Sequence, residues 1–366
     1  MVTISLVMIV KNEEKVLKRC LDSVVKLMDE VIIVDTGSTD KTKEIASEYT
    51  DKIYDFKWVD DFSAARNFAF SKATMDYIYS CDADEVIDEE NRMRFMNLKM
   101  ALVEDVEIVQ MHYVENGKSS VLNARSEYRP KLYKRLRGFT WIEPIHETVR
   151  LDPVVFDSDI EILHMPETIH SKRDFRVFEK AYNKDKYLSD NLISMYSKEL
   201  LKCGDEDDFA TAKTIFESIL INQKVTEEQL NKVCCILAKA ARISHDDAAF
   251  IKYTTKSLVM GGSSEICLEL GEYFLSKNDN EEAIVWFYNA AYESEPILDV
   301  ASQGKAPRLG LAQCYANIAK ELGYSTFEGD EDLKSHKEAP QDVSAILELH
   351  KQYLKEAMDW EMPEES

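Results

Sequence analysis

The sequence predicts two parts in order: an α/β domain built on a mostly parallel sheet, then an all-α domain of helical, repeat-like character. Three observations carry this. The first eighty residues alternate short, uninterrupted apolar runs with helix-patterned segments. Near residue 169 the composition turns to helix formers with heptad-like apolar spacing, which persists to about residue 320. The 366 residues are also too many for one ordinary core.

Taken in order, ISLVMIV (4–10) reads as a strand, 13–27 as a helix, VIIVD (31–35) as a strand and 40–49 as a helix. KIYDF (52–56) and DYIYS (76–80) are two more strands, separated by a helix near 62–72. Strands that are apolar throughout rather than alternating belong to a parallel sheet covered on both faces. EIVQMHYV (107–114), RPKLYKRL (129–136) and IEILHM (160–165) follow as antiparallel additions, with Arg129 and Lys131 expected on an edge strand. Segment 263–296 spaces small and aromatic residues as two interlocking antiparallel helices would, like a tetratricopeptide unit, with degenerate copies near 196–220 and 307–320. The expected boundaries are 1–168, 169–325 and a polar tail over 326–366 with a closing helix near 346–358.

Charge narrows the function. Lys plus Arg is 45 and Asp plus Glu is 68, a net −23 that repels nucleic acid and anionic lipid. Seven Cys without a CxxC pair read as reduced, packed thiols. The opening MVTISLVMIV lacks a basic n-region and a cleavage site, and no apolar stretch is long enough to span a membrane. These features predict a cytoplasmic protein.

In open parallel sheets ligands bind beyond the carboxyl ends of the strands, where KNEE, DTGSTD and DADE all fall. Asp82 and Asp84 lie two apart, so on an extended segment they project to one side. Paired carboxylates suit Mg²⁺ or Mn²⁺, which takes one or two protein carboxylates and fills its shell with phosphate oxygens. A solvated turn capping the helix that starts near 88 is the plainer alternative. DADEV also fits the DxDx[TV] loop of haloacid-dehalogenase-type phosphatases, but there the motif ends the first strand, and here three strands precede it. An EF-hand is excluded because Ile87 stands where Gly is required. No G-x-G-x-x-G or P-loop is present. Asp35, at a strand end, suits a ribose hydroxyl or a base N–H, and Asp40 can cap the next helix.

VMIVKNEEKVLKRCLDSV, DEVIIVDTGSTDKT, DFSAARNFAF and YSCDADE, in that order, resemble the inverting family 2 glycosyltransferases over about residues 3–90, and less firmly to 165. The resemblance implies a Rossmann-like GT-A fold. It also implies that Lys11, Asn12, Glu13 and Asp35 face the nucleoside, that Arg66 and Asn67 lie near the diphosphate or sugar, and that Asp82 and Asp84 handle the metal and donor. A divalent ion stabilises charge on the leaving diphosphate, and single-displacement inversion needs one general base. In WIEPIHETV the candidate base is Glu147, with Glu143 second, although either can be an ion-paired carboxylate beside a neighbour such as Arg150. His164 is placed to reach the metal, with His146 and His170 as rivals and a packed core histidine as the alternative. Trp141 can stack on a sugar or lie in the core, and Arg129 and Lys131 offer phosphate or acceptor contacts.

The expected reaction is transfer from a nucleotide-sugar of the UDP-glucose or UDP-N-acetylglucosamine type, with Mn²⁺ or Mg²⁺. The expected acceptor is a peptide or protein side chain, recognised by a helical domain that can also pair two subunits. A saccharide or lipid-linked acceptor, and an inactive binding scaffold, are the alternatives.

Overall fold

A computed structural model describes residues 1–115, 126–149, 152–167, 171–325 and 340–363. The chain forms two compact units, Met1–Lys184 and Asp185–Pro363. His170, Arg150 and residues 326–339 and 364–366 of the expected polar tail lie outside the described residues.

The first unit runs β1 (Ile4–Val10), α1 (Leu17–Val24), β2 (Glu30–Asp35), α2 (Thr42–Ser47), β3 (Ile53–Asp55), α3 (Phe62–Phe70), β4 (Tyr77–Ser80), β5 (Glu85–Val86), α4 (Glu89–Ala101), β6 (Ile108–Glu115), β7 (Ser126–Lys134), β8 (Trp141–Ile142), β9 (Thr148–Val149), β10 (Val155–His164) and α5 (Ser171–Asp185). Eight strands form one sheet in the order β3-β2-β1-β4-β7-β6-β10-β5. The first four in that order are parallel, and β7 enters antiparallel between β4 and β6. β1 and β2 are almost wholly buried, as their unbroken apolar runs require. Two cores result: Leu6, Met8 and Tyr79 pack on one side, and Val7, Ile32 and Ile78 on the other.

The expectation of an edge strand changes. β7 is an interior strand, so Arg129 and Lys131 do not guard an edge. The short strands β5, β8 and β9 have too few residues to carry a hydrophobic period. α5, where the composition changes, packs with the sheet unit: Phe175, Val177 and Phe178 are buried there, and Lys180 pairs with Asp60 at 2.7 Å.

The second unit is helical: α6 (Asp190–Cys203), α7 (Glu206–Asn222), α8 (Glu227–Ile243), α9 (Asp247–Val259), α10 (Ser264–Ser276), α11 (Asn280–Tyr288), α12 (Lys305–Glu321) and α13 (Gln341–Asp359). Asp205 with Asp208, and Thr226 with Gln229, close capping boxes at the starts of α7 and α8. Phe287 on α11 is fully buried between two glycines; a Cβ on Gly271 of α10 or on Gly310 of α12 would meet its ring at 2.5 Å. The small-and-aromatic spacing seen in 263–296 is thus a packing requirement.

Candidate functional site

Parallel pairing of β1 with β2 and β4 brings three loops to one edge, with Val10 beside Asp35 and Val7 beside Ser80. The first two loops spend much of their polarity on each other. Asp35 is buried, and its Oδ2 accepts from the backbone N–H groups of Gly37 (3.0 Å) and Ser38 (3.1 Å); Gly37 takes φ 105° there. Asn12, at φ 57°, donates its N–H to Ser38 Oγ (2.9 Å), and its Oδ1 accepts from Thr39 N–H (2.8 Å). Asn12 is therefore a clamp between loops, and Asp35 shapes the turn that follows it. Glu13 and Asp84 share a cleft with Asn12, Asp40 and Pro166. Burial, and then the nearby Asp84 charge, pushes the Glu13 carboxyl up to about 7. Lys11 is exposed beside it.

The four acids of YSCDADEVID stand in four different surroundings. Asp88 caps α4, accepting from Asn91 N–H at 2.9 Å, so capping accounts for this acid alone. Glu85 is buried and ion-paired with Lys131 of β7. Burial pushes its carboxyl up, and the Lys131 ammonium opposes that push. Asp82, half exposed, lies between two cations: Oδ1 is 3.9 Å from Arg66 and Oδ2 is 3.8 Å from Lys131. Burial raises its carboxyl, but Lys131, Arg66, Arg129 and His164 together hold it below the ordinary value. Asp84 Oδ2 lies 3.2 Å from His164 Nε2, joining the turn after β4 to the end of β10.

Asp82 and Asp84 do not face one way. β4 ends at Ser80, and residues 82–84 turn, with Glu85 N–H donating to the Asp82 carbonyl at 3.2 Å, so strand alternation no longer applies. Among the described residues no three His, Cys, Asp or Glu side chains converge tightly enough to hold an ion alone, so the expected Asp82, Asp84 and His164 set is not assembled as a trio. The donors present still suit a hard cation that draws most of its shell from phosphate. Asp84 and His164 already meet, and among the described residues the buried Nδ1 of His164 meets no hydrogen-bond partner.

α3 begins at Asp61, whose carboxylate accepts from Ala64 N–H at 3.0 Å, and presents Arg66 and Asn67. Arg66 donates through Nε to Glu147 Oε1 (2.6 Å) and through Nη1 to Ser80 Oγ (2.6 Å), and its guanidinium lies 5.0 Å from the Trp141 ring centre. Asn67 ties β8 to α3: its Nδ2 donates to the Trp141 carbonyl (2.9 Å) and its Oδ1 accepts from Trp141 N–H (2.8 Å). Trp141 is a core residue, edge-on to Phe70 and Tyr133. Glu147 is ion-paired, with Arg66 as its partner. Glu143 and His146 occupy left-handed backbone at φ 71° and 49°, and His146 stacks on Phe178. Sequence reasoning missed Ser80 and the buried roles of Glu85 and Lys131. Their only signal was polarity inside strands that are otherwise apolar.

Residues 5–150 match the family model described as Glycosyl transferase family 2. A TPR repeat-containing protein of Synechococcus elongatus is 52% identical over 85 residues, 23% of this chain and 21% of the relative. The SPbeta prophage-derived glycosyltransferase SunS of Bacillus subtilis is 30% identical over 161 residues, 41% of this chain and 38% of the relative. The chain thus spans about a fifth and under two fifths of the lengths of these relatives. Among solved structures, glucosyl-3-phosphoglycerate synthase from Mycobacterium tuberculosis, crystallised with Mn²⁺, UDP and glucosyl-3-phosphoglycerate, is 16% identical with a TM-score of 0.40, covering 51% of this chain and 81% of the other.

Proposed function

We propose a reaction for this chain from the premise that it carries a family 2 glycosyltransferase domain over residues 5–150, followed by a helical region. The reaction is inverting transfer of a sugar from a UDP-sugar to a side chain of a peptide or protein. The observation that carries it is the 3.2 Å meeting of Asp84 with His164, beside an Asp82 flanked by Arg66 and Lys131, at the edge where the parallel strands end.

In this reading the Asp35 turn receives the nucleoside, using the carboxylate lone pairs that Gly37 and Ser38 leave free, and exposed Lys11 faces the same side. Asp84 and His164, with Asp82, would hold Mn²⁺ or Mg²⁺ in company with diphosphate oxygens. Such an ion, when bound, neutralises charge developing on the leaving diphosphate. Arg66 adds a fixed cation on that path. Its Nε and Nη1 donate to Glu147 and Ser80, and its Nη2 lies 3.9 Å from Asp82 Oδ1, so it is oriented before a donor arrives.

Glu147 is the candidate base. Its pairing with Arg66 orients the carboxylate but also occupies one of its oxygens, so Glu143 is retained as second. The helical unit supplies the acceptor surface, and it can pair two copies. Among the described residues no helix is long and apolar enough to cross a membrane.

The direct test is thermal melting with UDP-glucose and UDP-N-acetylglucosamine, each with and without Mn²⁺, together with an assay of UDP release. Stabilisation that needs both nucleotide and metal is expected. A protein stabilised by neither donor would be a scaffold and not a transferase.

A further inference from the structure

The charge of Lys131 touches both the candidate cation site and the buried interior beneath it. It sits on interior strand β7 with 7% of its side chain exposed. Its ammonium is ion-paired with Glu85, whose side chain is 1% exposed, and lies 3.8 Å from Asp82 Oδ2. Among the described residues the second oxygen of Glu85 meets no hydrogen-bond partner, so the Lys131 ammonium is that carboxylate's principal stabilising contact there. Tyr113 closes the other side: its ring centre is 5.2 Å from Lys131 Nζ and 5.1 Å from the His164 ring. The ammonium is therefore fixed in place, in contrast to an exposed lysine that can swing into water.

This arrangement has a definite electrostatic sign. A structural support for a metal site strengthens cation binding, whereas a fixed ammonium 3.8 Å from a candidate ligand oxygen opposes it. Arg66, on the other oxygen of Asp82, is already answered by Glu147. Lys131 is divided between two carboxylates, and how much of its charge reaches Asp82 depends on Glu85.

We propose that Lys131 is an internal counter-ion for Asp82: it occupies the electrostatic place of a cation in the metal-free protein, and with Glu85 sets how weakly a divalent ion binds before the nucleotide arrives. The donor diphosphate adds negative charge and oxygen ligands, which tip the balance toward the ion. Cation and nucleotide therefore bind with positive coupling, and the size of that coupling depends on Lys131. The inference rests on the assignment of Asp82 to the cation site under the proposed function.

The test measures Mn²⁺ binding to the full chain by electron paramagnetic resonance, with and without UDP, in wild type, Lys131→Met, Lys131→Gln, Lys131→Arg and Glu85→Gln. Without UDP, Lys131→Met and Lys131→Gln should tighten Mn²⁺ binding by on the order of tenfold, as removal of a unit charge at this range implies. Glu85→Gln, which leaves the ammonium facing Asp82 undivided, should weaken it, and Lys131→Arg should stay near wild type. The gain in Mn²⁺ affinity on adding UDP should shrink in the Met and Gln variants. Lys131→Gln keeps a donor for Glu85, so it serves if Lys131→Met does not fold. Equal or weaker Mn²⁺ binding by the Lys131 variants, beside a wild type that binds Mn²⁺ with UDP, would overturn the counter-ion role alone. Absence of Mn²⁺ binding by wild type even with UDP would overturn the proposed function, and this inference with it.

Discussion

Arg66 and Glu147, 81 positions apart, meet Nε to Oε1 at 2.6 Å with 17% and 8% of their side chains exposed. The pair joins α3 to the segment between β8 and β9 and aims the guanidinium at Ser80 and Asp82. Breaking a buried pair leaves an uncompensated charge, so Arg66→Ala should lower stability by about 3–5 kcal/mol in denaturant unfolding. Arg66→Lys should recover part of the stability, but not the fork that serves Glu147 and Ser80 together.

Glu147→Gln separates the two roles of this carboxylate. As the base, its loss should lower kcat by about 10²–10⁴ while donor KM stays unchanged, in steady-state assays with a labelled UDP-sugar. Normal transfer would move the base to Glu143. A raised donor KM at normal kcat would show that Glu147 acts by holding Arg66.

Asp84→Ala should abolish Mn²⁺-stimulated UDP release yet melt near wild type. Among the described residues its side chain pairs with the partly exposed His164, a contact worth about 0–1 kcal/mol. The loop keeps its backbone tie, Met165 N–H to the Asp84 carbonyl at 2.9 Å. Full turnover in Asp84→Ala would remove this residue from the metal.

Glu13 makes stability depend on pH. Its carboxyl is raised from 4.5 to about 7, so between these values the folded protein holds a proton that the unfolded chain has lost. The contribution is fully present below pH 4.5 and disappears as pH rises through about 7. Glu13→Gln should therefore flatten the melting profile across pH 5–7 and raise Tm above that window by about 2–4 °C per kcal/mol recovered. A profile identical to wild type would refute the shift.

Gly310→Ala places a Cβ 2.5 Å from the Phe287 ring, and Gly271→Ala does the same from the opposite helix. Helix propensity favours Ala by about 1 kcal/mol, but overpacking a close-packed ring costs about 1–3 kcal/mol, so a net loss is expected in calorimetry of the helical unit. Phe287→Leu beside either change should restore part of it.

Much of the first unit could be read from one-dimensional pattern. The unbroken apolar runs at 4–10 and 31–35 define buried parallel strands, and the order of strand and helix places KNEE, DTGSTD and DADE at a common edge. The helix pair in 263–296 was legible because small residues opposite an aromatic leave a periodic trace. The short strands and the place of β7 were not legible, because two residues carry no period and pairing across the sheet leaves no local mark.

The sequence alone determined which chemistry is available: acids, a cationic helix residue and turn-forming loops at the carboxyl ends of parallel strands, since alternation and hydrophobic period are local properties of the chain. Tertiary structure alone decided how that chemistry is divided. Asn67 serves Trp141, Glu147 serves Arg66, Asp84 turns to His164 and Asp82 stands between two cations, because each pairing joins residues many positions apart. Burial and charge partnership are properties of the folded volume: a carboxylate becomes a cap, a counter-ion partner or a candidate ligand only once the fold has set which charges lie within a few ångströms of it.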